Sequence, residues 1–410
     1  AAERRVASGA MDFPEFAVAC GEERSDPLVV HEGRTVRVDQ FAASGHLDRL
    51  DDDLADVAGL GIRVWRYGMP WRSAEPEPGR YDWTQWDRAL DACRRHGLEP
   101  VVDLLHFGLP DHYGGFCDTD WVDGFVRYVK AFLARYPDPM WFTPVNEPGI
   151  TALFSARLGM WNDRRATEDD YFVALGNIVH ANLAALAAIR ADRDGWWIGS
   201  EGFGCELADS DDADGLRAAT DARDLQHLVW DLHVGIEPQG VAARFADVVD
   251  ASTRDRIAEL AGVVPADRVV AGHDIYPVSV NRHGTRAMRP LTIADRVAAY
   301  EAEATAWYER YRVPFWVSET SNLSLPVEQG GEWLAALVGS LRALADRGLP
   351  VRGICWYSRG DQYDWDSALT VPVGAVTEVG LFDAHRRPRP VATDFAALAA
   401  SARREDGAVP

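Results

Sequence analysis

The chain is 410 residues long and poor in cysteine. Its five cysteines, Cys20, Cys93, Cys117, Cys205 and Cys355, are odd in number, widely spaced and never in CxxC spacing. That pattern supports neither a zinc site nor a disulfide framework, and a reducing, cytoplasmic setting is expected. Cys355 lies within an apolar run and reads as a core residue. Basic residues are also in deficit: 42 Lys and Arg against 64 Asp and Glu give a formal charge of −22. Such a balance argues against nucleic acid and anionic membranes as partners. No apolar stretch reaches the length of a membrane span, and the first twenty residues lack a signal-peptide core, so no membrane association is expected. A Gly-rich nucleotide loop is absent too, and neither cofactor nor metal is expected.

What is present is apolar bulk, 47% of the residues with 15 Trp, enough for a large core. Eight strand-like runs recur with helical stretches between them: Phe16–Gly21, Ile62–Gly68, Pro100–Phe107, Met140–Val145, Trp196–Glu201, Val269–Tyr276, Val313–Ser318 and Val351–Tyr357. Alternation of this kind predicts an α/β fold, a single (β/α)₈ TIM barrel. It would occupy residues 11–404, after a frayed or appended segment 1–10 and before a short tail 405–410. The longest interval, between the fifth and sixth strands, carries the acidic cluster Asp209–Asp214 and suggests an excursion over one face.

The chain is organised around Trp141–Pro148, WFTPVNEP. An apolar strand here delivers Asn146 and Glu147, and Pro148 stops it because proline cannot donate a ladder hydrogen bond. Taken alone, this could be a strand end feeding a helix N-cap. The second segment, VPFWVSET at Val313–Thr320, delivers Glu319 in the same way. Active sites of such barrels lie at the carboxyl ends of the strands. There Arg66, His106, Asn146, Glu147, Tyr276, Glu319 and Trp356 or Tyr357 would converge. Cleavage of a glycosidic bond needs one carboxylic acid and one carboxylate, about 5 Å apart where configuration is retained. Arg66 and the Tyr276 hydroxyl could hold Glu319 as the anion, leaving Glu147 as acid and then base.

Taken in order, these segments resemble family 1 of the glycoside hydrolases, the β-glucosidase family, over nearly the whole chain. The resemblance rests on RYGMPWR at Arg66–Arg72, DLLHFGLPD at Asp103–Asp111, NEP at Asn146–Pro148, GHDIY at Gly272–Tyr276, SET at Ser318–Thr320 and SRGDQYDW at Ser358–Trp365. It implies Glu147 as acid/base and Glu319 as nucleophile, with His106 and Asn146 on sugar hydroxyls and Arg66 and Tyr276 supporting the nucleophile. Tyr357 or Trp356 would floor the sugar, and Asp364 and Trp365 would bind its far edge. His180 also matches a family position but reads as a helix-packing residue.

The departures concern sugar recognition. The family's Gln-x-Glu after strand one is replaced by Cys20-Gly21-Glu22-Glu23, the Glu of F-E-W by Asp364, and the Asn of E-N-G by Thr320. Glu22 or Glu23 could replace the lost Gln. A retaining β-glycosidase acting on a small-molecule glycoside with a modified glycone or unusual aglycone is the expected function. A phosphate-binding Lys or Ser pair is not evident near Asp364, which disfavours a 6-phospho sugar. A transglycosidase using the same intermediate, or a retired barrel that binds sugar without turnover, are the alternatives.

Overall fold

The computed structural model describes residues 12–22, 25–284 and 290–406. Eight parallel strands close into one barrel. They are β1 (Ala17–Gly21), β2 (Val64–Gly68), β3 (Glu99–Asp103), β4 (Trp141–Thr143), β5 (Trp196–Ile198), β6 (Val269–Asp274), β7 (Phe315–Thr320) and β8 (Val351–Tyr357). The principal helices of the outer layer are α1 (Leu50–Gly59), α2 (Thr84–His96), α3 (Asp120–Arg135), α4 (Glu168–Asp192), α5 (Ala213–Val234), α6 (Ile293–Tyr311), α7 (Gly330–Asp346) and α8 (Pro390–Asp406). The expected (β/α)₈ barrel is the observed fold. Residues 1–10, Glu23 and 407–410 lie outside the described residues, and α8 runs into the segment expected as a tail.

Side-chain alternation along the strands sorts the core into two parts. Val64, Val101, Trp141, Ile198, Val270, Trp316 and Cys355 face inward and cluster with Phe13, which meets Trp141 and Trp316 edge-on. Their chain neighbours Trp65, Val102, Phe142, Trp197, Ala271, Val317 and Trp356 join the larger core under the helices. Cys355 is a core residue as read, and all five cysteines are free thiols.

One expectation about long segments changes. Helix α4, at 25 residues, is long and apolar enough to cross a membrane by length and composition. Most of it is buried against α3 and the helix Ala251–Leu260, and a helix apolar all round is what a position inside a large core requires. The expected excursion after β5 carries a two-stranded sheet and helix α5. Cys205–Ala208 pairs in parallel with Val280–His283, and Asp212 caps α5 by accepting from the Gly215 N–H.

The barrel tolerates no added bulk where β5 and β6 meet. A Cβ on Gly272 would sit 2.1 Å from the Gly199 carbonyl oxygen. Gly272→Ala is expected to cost about 3 kcal/mol, read as a lower denaturant midpoint. Gly339→Ala on α7, where a Cβ meets open space, should match or exceed the wild-type midpoint.

Candidate active site

Strict alternation would send Glu319 the wrong way. Trp316 belongs to the barrel interior, and the Ser318 hydroxyl bonds Asp274 on β6, so residue 319 should face the helices. The pairing with β6 resolves the conflict: Trp316 aligns with Gly272, but Glu319 aligns with Asp274, three residues of β7 spanning two of β6. This β-bulge turns the strand end and brings the Glu319 carboxylate over the barrel axis.

Arg66, fully buried on β2, receives it. Its Nη1 donates to Glu319 Oε1 at 2.5 Å, and its Nη2 donates to Asn146 Oδ1 at 2.6 Å and Asp103 Oδ2 at 3.2 Å. Tyr276 Oη donates to Glu319 Oε2 at 2.8 Å. The two groups expected to support Glu319 are thus in contact with it. His106 Nδ1 lies 2.8 Å from Asp103 Oδ2, a contact that places a proton on Nδ1 and turns Nε2 away from the carboxylate. Asn146 spends its oxygen on Arg66, while its buried Nδ2 has no hydrogen-bond partner.

Glu147 combines both readings of its segment. It occupies the N-cap position of the helix Pro148–Ala152 with φ 39°, yet its side chain makes no capping bond and lines the cavity instead. Carboxylate oxygens of Glu147, Asp274 and Glu319 lie within 4.8 Å of one another. Burial first, and then the negative charges of Asp274, Glu319 and Glu201, push the Glu147 carboxyl well above its ordinary range.

Three sequence assignments fail, each for a reason of strand parity or loop geometry. Trp356 faces outward between Cys355 and Tyr357, its Nε1 donating to the Val379 carbonyl at 2.9 Å and its ring against Phe395 of α8. Tyr357 takes the inward place and lines the cavity. Asp364 is spent on its own loop: its oxygens accept the N–H groups of Val373, Gly374 and Ala375 at 3.2, 3.0 and 2.8 Å. Glu22 lies fully buried outside the barrel, 3.1 Å from Arg359 Nε and 3.6 Å from His46 Nδ1. It therefore does not supply the missing sugar contact. Trp365 does line the cavity, as expected, and His180 on α4 does not.

The sequence reading passed over Asp103, Asp274 and Glu201. The first two are acids at the last inward position of β3 and β6, a signal that a parity count would have found. Glu201 follows β5, accepts the N–H groups of Gly149 and Gly202, and is pushed up to about 8, chiefly by burial. Phe107 and Gln362 also line the cavity, where the Gln362 Oε1 and Trp365 Nε1 atoms have no hydrogen-bond partner. The three clustered carboxyls do not form a cation site. Both Glu319 oxygens are held by Arg66 and Tyr276, and both Asp274 oxygens by Ser318 and Ser200.

The cavity above these groups measures about 380 Å³. Part of its wall is apolar: Ile150, Leu153 and Phe154 follow β4, and Leu225 and Val229 come from α5. At the carboxyl face of the (β/α)₈ barrel, an acid from the segment after β4 and an acid from β7 thus face each other across one cavity, an arrangement in which a carboxyl pair can act on a single bound molecule.

The profile of glycosyl hydrolase family 1 matches residues 25–233, about half of the chain, and the protein belongs to that family. The matched range contains Glu147 and ends well before Glu319. An aryl-phospho-β-D-glucosidase of Bacillus subtilis is 34% identical over 106 residues, 23% of this chain and 22% of its own. The thermostable β-glucosidase B of Thermobispora bispora is 32% identical over 128 residues, 28% and 26% of the two chains. The chain thus aligns with only about a quarter of the length of these curated relatives. In fold the likeness is complete. The family 1 β-glucosidase of Thermotoga maritima superposes with a TM-score of 0.78 at 17% identity, covering 96% of this chain and 99% of that one. The β-glucosidase of Exiguobacterium antarcticum gives 0.78 at 15%, covering 98% and 100%.

Arg66→Met would leave Asp103 and Glu319 buried without their shared cation. A stability loss of about 3–5 kcal/mol is expected by denaturant titration. Asp364→Ala should lower the melting temperature, because three backbone donors lose their acceptor, while leaving KM for any cleaved glycoside unchanged.

Proposed function

We propose that the protein is a retaining β-glycosidase that hydrolyses a β-O-glycosidic bond through a covalent glycosyl-enzyme. The observation that carries this reading is the approach of the Glu147 and Glu319 carboxylate oxygens to within 4.8 Å. Retaining enzymes need about 5 Å between carboxyls, whereas inverting ones leave room for a water. Glu319 attacks the anomeric carbon while Glu147 gives its proton to the departing oxygen. Water then attacks the glycosyl ester, passes a proton to Glu147, and frees Glu319. Burial of Glu147 supports its role as the acid, and the two hydrogen bonds on Glu319 orient it for attack.

The substrate is a glycoside with a modified glycone and an apolar aglycone. Asp364 and Glu22 are committed elsewhere, so the far edge of the sugar meets Phe107, Gln362 and Trp365 instead of a carboxylate. The apolar wall of Ile150, Leu153, Phe154, Leu225 and Val229 suits an aryl or alkyl leaving group more than a second sugar. An acceptor alcohol could replace water in the second step, giving transglycosylation. The same loss of sugar contacts favours, as a second reading, a barrel that binds a glycoside without turnover. The free thiols support a reducing, cytoplasmic compartment.

A panel of nitrophenyl α- and β-glycosides, including deoxy and amino sugars, tests the reading. Cleavage is expected for β-glycosides alone, with the β-anomer appearing first by NMR. Glu319→Gln should abolish it, and Glu147→Gln should slow it by about 10²–10⁴-fold. Wild-type rates in both variants would refute the assignment. Tight binding without turnover by the wild type would favour the second reading.

A further inference from the structure

Two carboxyls suffice for the proposed chemistry, yet β6 brings a third. Asp274 is the register partner of Glu319 and is 1% exposed. Its Oδ1 lies 2.5 Å from Ser318 Oγ and its Oδ2 lies 2.6 Å from Ser200 Oγ. Its carboxylate also comes within 4.8 Å of both Glu147 and Glu319. His273, next to it in the chain, turns to the other face and stacks on Phe203 and Phe315.

The groups facing Asp274 are mostly acidic. Glu319 faces it from β7, Glu147 from the segment after β4, Glu201 from beyond β5, and Tyr276 from the turn after β6. The cation that acts on it is Arg66 of β2, which already donates to Glu319, Asp103 and Asn146. A further negative charge beside Glu319 is poorly balanced here, so protons must be retained within the cluster.

We propose that Asp274 is a positioning residue of the catalytic centre whose negative charge beside Glu147 keeps Glu147 protonated, and so competent as the acid, to higher pH. This rests on the retaining-glycosidase reading. The cycle balances without consuming Asp274. Glu147 gives its proton to the leaving oxygen as the C–O bond breaks, and Glu319 loses its charge on forming the ester. Water later returns a proton to Glu147 and releases Glu319 as the anion. Burial, followed by the charge of Glu319, pushes the Asp274 carboxyl up to about 8. Its charge is the largest electrostatic contribution, after burial itself, to the raised Glu147 carboxyl. Two carboxyls coupled in this way lose their protons in two steps that belong to the pair.

Asp274→Asn keeps the shape of the side chain and can still meet both serine hydroxyls. The test is carboxyl ¹³C NMR of Glu-labelled protein across pH, with the Glu147 signal identified by its loss in Glu147→Gln. In Asp274→Asn, Glu147 is expected to titrate about one pH unit lower or more. The alkaline limb of kcat/KM should move the same way, with KM unchanged. An unaltered Glu147 titration in the folded variant would overturn the proposal. If the variant does not fold, Asp-labelled wild type decides. A two-step Asp274 curve sharing an inflection with Glu147 supports the proposal, and a carboxyl fully ionised at about pH 5 refutes it. The titration needs no turnover, so an inactive wild type would defeat the glycosidase reading and still leave this result readable.

Discussion

The guanidinium of Arg66 ties the mouth of the barrel together. It is fully buried, and its Nη atoms reach Glu319 on β7, Asp103 on β3 and Asn146 beyond β4. A planar fork with several donors can serve three acceptors at fixed angles, which a lysine ammonium on a flexible stem cannot do as well. Asp103 in turn sets the tautomer of His106. The orientation of Glu319, Asn146 and His106 at the mouth of the barrel therefore descends from one side chain on β2. The arrangement is costly in isolation, since a buried charge network gains little over apolar packing. It makes sense as preorganisation of a reaction centre.

Burial does the second part of the work. Glu147, Asp274 and Glu201 are all pushed upward, and for each the leading cause is removal from water. Three acids and Glu319 can then occupy a small volume without mutual expulsion, because desolvation keeps protons on most of them. The backbone shares in the arrangement. Glu147 sits at φ 39°, a conformation that non-glycine residues adopt at some energetic cost, and the surrounding bonds from Glu147 N to Ser200 O and from Thr151 N to Glu147 O hold it there.

The barrel was legible because apolar strand-like runs and helical stretches alternate eight times, and most strands start and stop within a few residues of where those runs do. Strand lengths were less legible. The run Pro100–Phe107 reads as one strand, but the strand ends at Asp103 and the remainder bends inward, with Phe107 at positive φ. Arg66, His106, Asn146, Glu147, Tyr276 and Glu319 were found because strand ends deliver them to one rim. Trp356 failed on parity alone, a one-residue matter that an apolar run buried on both faces cannot reveal. Asp364 and Glu22 failed because motif resemblance says nothing about which way a shortened or shifted acid turns. Each was captured by local donors, backbone N–H groups for Asp364 and Arg359 for Glu22.

The bulge in β7 makes the location of Glu319 a matter of arithmetic as much as of chemical identity. The register of residues 316–319, and not their chemistry, decides which side chain arrives at that point. Losing or gaining one would hand the inward place to a neighbour and tuck the glutamate beneath the helices. Related chains should therefore tolerate insertions and deletions in this strand less readily than substitutions. The segment works as a fixed-length ruler whose final mark is the Glu319 carboxylate.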